Sequence, residues 1–443
     1  MKRLRHPKHA LLTALVLAAP LALAASEARG AGFAINEFNA RGLGMANAVG
    51  AIANTPAAAI FNPAGLVQLR GLSFQANVSL VAPQFAYTAT PVPGQPGVEA
   101  EVEAERQFFP VPSLFAAYRI HDRVSAGIGV YARFGLGVTW QPSVNVGGTS
   151  IPWWGRSTIQ EVDLQTVWFT PTVSIKLHER VLLGGGLSIV QGAVYLKRQV
   201  VISQDPADDV QVELSGDDIG FTGSAGLLIK AIPGLLHFGF TYRGGVSLSF
   251  DGQAAFTKGG SASAVPAALR TVLVDGPGGA RLELPHQFGW SLAAFPMKGL
   301  SLGFSLEVTT WSSYKELAIE FANLPDAPLR EQLSSSETKN WRNSITLRIG
   351  GEYRILPQLP VRLGFVYDQS PAPTNTVGPE LPDADRYIIS TGVGYEIGAF
   401  AVDLAYQFLL TGENETTDAP PITGRYGATA HILALGLQYR FDI

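Results

Sequence analysis

From residue 71 onward, apolar and polar residues alternate in long runs, and the connections between the runs are short and long by turns. A period of two is the period of a strand with two unlike faces. In "GLSFQANVSL" Leu72, Phe74, Ala76, Val78 and Leu80 share one face, against Ser73, Gln75, Asn77 and Ser79. "LSLGFSLEVT" sets Leu300, Leu302, Phe304, Leu306 and Val308 against Ser301, Gly303, Ser305, Glu307 and Thr309. "SITLRIGGEYRI" repeats the pattern with Arg348, Glu352 and Arg354 on the polar side. About fourteen such runs begin near 71, 108, 123, 164, 181, 218, 236, 282, 300, 344, 360, 387, 399 and 431. At about ten residues or more they exceed the five or six usual in globular sheets.

The connections "IHDR", "HER", "AIPG", "FPMKG", "LPQLP" and "EIGA" are tight turns. Those between them, at 82–107, 137–163, 201–217, 251–281, 321–343, 371–386 and 411–430, are long. A soluble sandwich has no reason to keep that rhythm. A transmembrane β-barrel does, with short periplasmic turns, long outer loops and an even strand number. Closure pairs every edge strand, which lipid requires. The expected fold class is therefore all-β: a transmembrane β-barrel of about 14 antiparallel strands over 71–443. Both termini then fall on the short-turn, periplasmic side. The Leu/Val/Phe face meets lipid and the Ser/Gly/Thr/Arg/Glu face lines the lumen. Tyr439, Phe441, Trp290, Trp311 and Tyr395 are expected in the interfacial aromatic girdles.

Composition agrees. Charged residues make up 15% of the 443 residues, well under the usual quarter. With no cysteine, disulfide frameworks, thiolate nucleophiles and Cys-based zinc sites are excluded. Scattered histidines show no metal spacing, no catalytic constellation or cofactor motif stands out, and 36 acids against 32 bases give no nucleic-acid surface. Lys2, Arg3, Arg5 and Lys8 precede "LLTALVLAAPLALA", an apolar run broken by Pro20 and closed by small residues. This is the pattern of a signal peptide over 1–24, with cleavage between 24 and 30. Removing it leaves 28 bases against 36 acids, a net charge near −8.

Residues 25–70 follow no clean period. "EFNARGLGMANAVGAIANTPAAAIFNPAGLVQ" carries no charge after Arg41. A stretch this apolar would not stay dissolved in the periplasm, and the nearest shelter is the lumen, so a plug is expected. At "FNPAG" Pro63 fixes its own φ and restricts Asn62, which favours a turn. Inward charges, Arg348, Arg354 and Arg362 beside Glu307, Glu352 and Asp368, are expected mainly to pair with one another. An arginine left over would suit a carboxylate, with Arg348, Arg362 and Arg156 as the candidates. In the third run Ser125, Gly127, Gly129, Tyr131, Arg133, Gly135 and Gly137 form a mostly glycine inner row, with Phe134 and Leu136 expected on the lipid face.

"AGFAINEFNARGLGMANAVGAIANTPAAAIFNPAGL" resembles the N-terminal hatch of the FadL family, the long-chain fatty-acid transporters of the Gram-negative outer membrane. The likeness continues in "YARFGLGVTW", "ELPHQFGWSL", "TTWSSYKEL" and "NWRNSITLRIGGEYRI", and covers most of the chain in the family's order. It implies a monomeric fourteen-stranded barrel plugged by the hatch, with Asn62-Pro63-Ala64 as the hatch motif. It also implies a kinked third strand that opens a lateral path, here Phe134-Gly135-Leu136. The function implied is passive import of long-chain fatty acids. Importing aromatic hydrocarbons on the same fold, or acting as a non-selective porin or surface receptor, are the alternatives. Implied partners are the apolar ligand, outer-membrane lipid and lipopolysaccharide, and the barrel-assembly machinery during biogenesis. The 201–217 connection is short and acidic where the family has an outer docking groove. Docking is therefore expected at Trp153 and Trp154, and at Leu269 and Leu273 in the apolar, helix-like "AVPAALRTVLV".

Overall fold

A computed structural model describes residues 32–201, 205, 208–258, 273–321, 336–416 and 422–441. The signal-peptide segment 1–24 and most of "AVPAALRTVLV", including Leu269, lie outside the described residues.

Fourteen antiparallel strands close into one barrel. They are β1 (Leu72–Ala89), β2 (Phe109–His121), β3 (Val124–Tyr131 and Gly135–Thr139), β4 (Glu161–His178), β5 (Val181–Val200), β6 (Val210–Ile232) and β7 (Leu236–Arg243 and Val246–Lys258). β8 (Gly276–Leu284 and Gln287–Met297), β9 (Leu300–Thr309 and Glu316–Phe321), β10 (Ser344–Leu356), β11 (Leu359–Asp368), β12 (Arg386–Ile397), β13 (Phe400–Thr411) and β14 (Gly424–Phe441) follow. β1 closes on β14 along its whole length, from Leu72 opposite Phe441 to Ala89 opposite Gly424. No strand edge is left to lipid along that seam, as a barrel in hydrocarbon requires.

The strand walls change sign with height. In the lower half of β4 the outward row is Val167, Phe169, Val173, Ile175 and Leu177, all more than 40% exposed, while Thr166, Thr170, Thr172 and Ser174 are buried inside. Higher up the outward row becomes Glu161, Asp163 and Gln165, and the buried inward residues are Val162 and Leu164. β6 does the same: Ile219 and Phe221 face out below, whereas Val210, Val212 and Leu214 are buried inside above. This inversion explains where the expected strand ends fall short. Residues 82–89, 161–163, 210–217, 251–258, 276–281 and 424–430, expected as loop, are strand. Their apolar residues had changed faces, so a pattern sought on the lipid side stopped at the membrane surface. The connection after β5 is accordingly shorter than expected, spanning 201–209.

Two further sets of expectations are corrected, the place of Trp311 and the faces of β3. Trp311 is not in a girdle: β9 breaks at 310–315, and the turn Trp311–Ser313 folds inward until the indole is 1% exposed. Tyr395, Trp290 and Phe441 do face out, each more than 40% exposed. In β3 the faces switch part-way. Tyr131 lies opposite Trp168, but Gly135 lies opposite Gln165, so four steps on β3 match three on β4. The extra residue is a bulge. Beyond it Phe134 is fully buried, while Gly135 and Gly137 stand opposite the outward Gln165 and Asp163. The expected faces of Phe134, Gly135, Leu136 and Gly137 are therefore reversed, and Leu136 packs on the buried cluster.

Residues 32–69 run inside this wall. Asn39 caps α1 (Ala40–Gly44) through its side chain, α2 (Ala58–Phe61) follows, and Asn62 caps the 3₁₀ turn Pro63–Gln68, with Pro63 at its first position. Inward glycines form notches for this backbone. A Cβ on Gly303 would run into the Ala48 carbonyl, on Gly350 into that of Met45, and on Gly184 into the peptide after Pro63. Gly350→Leu is therefore expected to unseat the segment from β10. Planar-bilayer conductance should rise several-fold while the heat-dependent electrophoretic shift of the folded barrel persists.

Candidate functional site

Inside the half of the barrel beyond the apolar belt the inverted wall encloses a packed apolar cluster. Tyr87, Trp140, Trp153 and Tyr426 are all fully buried there, packed ring on ring: Trp140 stacks on Trp153 at 5.2 Å and Tyr87 lies 4.8 Å from Tyr426. Val162, Leu196, Val212, Leu214, Phe250 and Leu282 continue the lining. Trp140 donates its indole N–H to the Pro379 carbonyl at 2.8 Å, tying the loop after β3 to the loop after β11 across the mouth. Trp153 and Trp154 thus line an enclosed interior rather than an exposed outer patch, and Leu273, 1% exposed, joins the same cluster.

A second aromatic group stands below, around Phe33. Its ring lies 4.7 Å from Trp311, 5.8 Å from Tyr314 and Trp341, and 6.0 Å from Phe134, which also touches Trp168. The bulge in β3 brings Phe134 inward to meet it. Here the N-terminal segment adds a short antiparallel bridge to β3: Ile35 donates its N–H to the Arg133 carbonyl, and Gly135 donates to that of Phe33.

That bridge lies beside a seam. β2 and β3 pair only as far as Leu114 opposite Val130; above this β2 keeps β1 and the upper piece of β3 keeps β4. Two side chains lie across the split, each over a glycine. A Cβ on Gly135 would sit 2.6 Å from Ile35 Cδ1, and one on Gly137 would enter the Phe109 ring. The seam begins where the outward face of β4 passes from Val167 to Gln165, at the outer margin of the apolar belt.

Beneath the aromatic rings the lumen carries a layer of charge. Arg362 pairs with Glu352 and Asp403, both at 2.7 Å, and Arg41 reaches the same Glu352 with two donors at 2.9 and 3.0 Å, anchoring α1 to β10. Arg348 faces Glu307 at 3.5 Å and donates to Asn36 at 3.0 Å; Arg243 pairs with Glu307 as well. Arg156 lies in the mouth on Asp209 at 2.7 Å. All three arginines proposed from sequence for a ligand carboxylate already hold a protein carboxylate. Between segment and wall a cavity of about 40 Å³, lined by Asn36, Asn47, Ser291, Glu307 and Arg348, has room for roughly three waters.

Asn62 is completely buried. Its Nδ2 donates to the Gly50 carbonyl at 3.0 Å and the Leu227 carbonyl at 3.1 Å, and its Oδ1 accepts from Ala64 N at 3.2 Å. One side chain thus closes the turn, ties it to the rest of the segment and fastens both to β6. The sequence missed Phe33, Phe109, Trp311 and Arg133 as site residues. For Arg133 a signal existed: it is the sole charge between Val124 and Thr139.

A family model described as outer membrane protein transport protein (OMPP1/FadL/TodX) matches residues 21–441. The chain belongs to this family. Among FadL/TodX relatives, the long-chain fatty acid transport protein of Salmonella typhi is 24% identical, over 97% of this chain and 99% of its own. A Pseudomonas aeruginosa FadL homologue superposes with a TM-score of 0.78 at 22% identity, covering 93% of this chain and 100% of that one. The Pseudomonas putida toluene transporter TodX gives 0.68 at 15% identity, covering 92% and 99%. At such identities the structural likeness speaks for the fold. FadL/TodX family members are transporters of the Gram-negative outer membrane, and that class holds for this chain.

Proposed function

We propose that the chain is a passive importer of hydrophobic compounds, most of all long-chain fatty acids, gated by residues 32–69 as a hatch and releasing its cargo sideways through the β2–β3 seam. The observation that carries this is the sign change of the wall. A packed cluster of apolar side chains stands above a lumen filled by protein, and its flank meets a strand seam at the edge of the lipid belt. Burying each CH₂ of an alkyl chain is worth about 0.8 kcal/mol, so an acyl chain that parts these apolar side chains is drawn out of water without any energy source. The filled lower lumen gives such a molecule no straight way down. The seam gives it a sideways one once Phe109, which packs over Gly137, swings aside. On this reading both termini face the periplasm, the functional unit is a monomer, and outer-membrane lipid is both the surrounding medium and the first acceptor.

The cluster of rings also suits aromatic hydrocarbons, the cargo named for the toluene transporter; the relative named for fatty acids shares more identity. A porin reading is disfavoured by the filled lumen. The experiment is uptake in cells stripped of their own fatty-acid importers. Expression of this chain should restore uptake of radiolabelled oleate at least several-fold over the empty strain and leave the entry of small sugars unchanged. Sugar entry without oleate uptake would make it a porin.

A further inference from the structure

Charge is divided between the two ends of the barrel. Above the apolar belt the outward rows of β4 and β6 carry Glu161, Asp163, Glu213 and Asp217. The short-turn end has the opposite sign. Five strands carry a base close to that end: Arg119 on β2, Lys176 on β4, Lys230 on β6, Arg354 on β10 and Arg440 on β14. Beside them Arg70, Arg123, Arg180 and Lys298 stand on the turns and the chain start, all four exposed. Among the described residues three acids share this end, Asp122, Glu179 and Glu396. Each is engaged: Glu396 holds Arg354 at 2.7 Å, Glu179 lies 3.3 Å from Lys176 and Asp122 lies 4.0 Å from Arg119. Among the described residues the four exposed bases have no carboxylate at ion-pair distance. The bases occupy five of the six short turns and the place where the first and last strands meet, so they form a collar around the barrel.

The height of the collar is set by its neighbours. Tyr118 and Ile120 flank Arg119, Ile175 and Leu177 flank Lys176, and Tyr353 and Ile355 flank Arg354, each more than 40% exposed. The charges therefore stand where the hydrocarbon ends, and their aliphatic stems reach headgroup level. We propose that the collar binds the phosphate groups of anionic phospholipid in the leaflet on the short-turn side. A zwitterionic headgroup neutralises its phosphate with its own ammonium, whereas a glycerol headgroup leaves that charge for the protein. The planar fork of arginine takes two phosphate oxygens at once. Lipid meets the barrel from every side, as an encircling collar requires, and a protein partner would meet one arc of it. The inference rests on the orientation given above, which puts the short turns on the periplasmic side.

The test places the full-length protein in vesicles of equal parts palmitoyl-oleoyl phosphatidylglycerol and the matching phosphatidylcholine. After extraction in mild detergent, native mass spectrometry counts the lipids that stay bound. Phosphatidylglycerol should be retained at least about fivefold over phosphatidylcholine, the effect of about one base at a membrane surface. Arg123→Gln/Arg180→Gln/Lys298→Gln changes exposed turns alone. It should lower phosphatidylglycerol retention about tenfold or more, leaving phosphatidylcholine retention and the heat-dependent gel shift unchanged. Arg123→Lys/Arg180→Lys keeps the charge and should keep most of the preference. Orientation is read separately. The chain has no cysteine, so Lys298→Cys gives a single thiol. A maleimide too bulky to cross the outer membrane should label that thiol in lysed cells and not in intact ones. Equal retention of the two lipids, with the thiol closed on intact cells, would overturn the inference alone and leave the collar to an acidic protein surface. A preference untouched by the triple substitution would overturn it as well. Labelling on intact cells would bring down the orientation and the phospholipid assignment together.

Discussion

Deleting residues 32–68 is expected to turn a closed barrel into an open pore. Side chains fill the interior of an eight-stranded barrel, whereas sixteen strands leave a water-filled channel, so fourteen need something more to fill them. The segment does that filling. It seats on Gly184, Gly303, Gly350, Gly364 and Gly392 from opposite sides of the wall, and Asn62 and Arg41 tie it down. Strand pairing does not pass through it, because the ring of ladders from β1 to β14 closes without it. The largest charge cluster also survives its loss, since Glu352 keeps Arg362 when Arg41 is removed. Single-channel conductance should therefore rise by about an order of magnitude or more, with the heat-dependent gel shift intact. The same conductance before and after deletion would make the segment a linker.

Gly135→Trp is expected to abolish uptake without opening or unfolding the barrel. A side chain there meets Ile35 Cδ1 at 2.6 Å and the Leu164 carbonyl at 3.2 Å, so an indole would displace the isoleucine tip and occupy the gap between β2 and the upper piece of β3. Radiolabelled oleate uptake should fall about tenfold or more, surface abundance and conductance staying at native values. Ile35→Ala should act in the opposite direction, removing one of the two side chains across the seam while leaving Phe109 in place. If a folded Gly135→Trp protein imported at the native rate, cargo would leave by another route. The two variants together separate a blocked exit from a damaged fold.

The lower barrel could be read from sequence because there one physical rule governs each residue: lipid outside, hatch or water inside. Leu72 through Leu80, or Ile345 through Ile349, obey it without exception. Above the membrane the rule is reversed, and Val210, Val212 and Leu214 look no different in sequence from a short lipid-facing run. The bulge at Arg133-Phe134 leaves alternation undisturbed in the sequence and moves only the faces, so it emerges from the pairing of β3 with β4 and from nothing local. The arginine partners were equally hidden. Glu352 meets Arg41 from 311 residues away, and no spacing rule reaches across a barrel. Trp311 misled because an aromatic next to a strand end suits a girdle as well as an inward turn; only the break in β9 decides between them.

The sign change of the wall has a consequence for where the permeability barrier of this membrane lies. To an oily molecule the obstacle is the saccharide layer outside the bilayer, which is wet and offers it no solvent. In the orientation proposed above, the tall strands β4 to β7 stand up through that height with Glu161, Asp163, Glu213 and Asp217 turned outward and Val162, Leu164, Leu214 and Phe250 turned inward. The outer half of the barrel is in effect the inner half turned inside out. On the import reading it carries a column of packed apolar side chains up through the carbohydrate, with the β2–β3 seam at its foot.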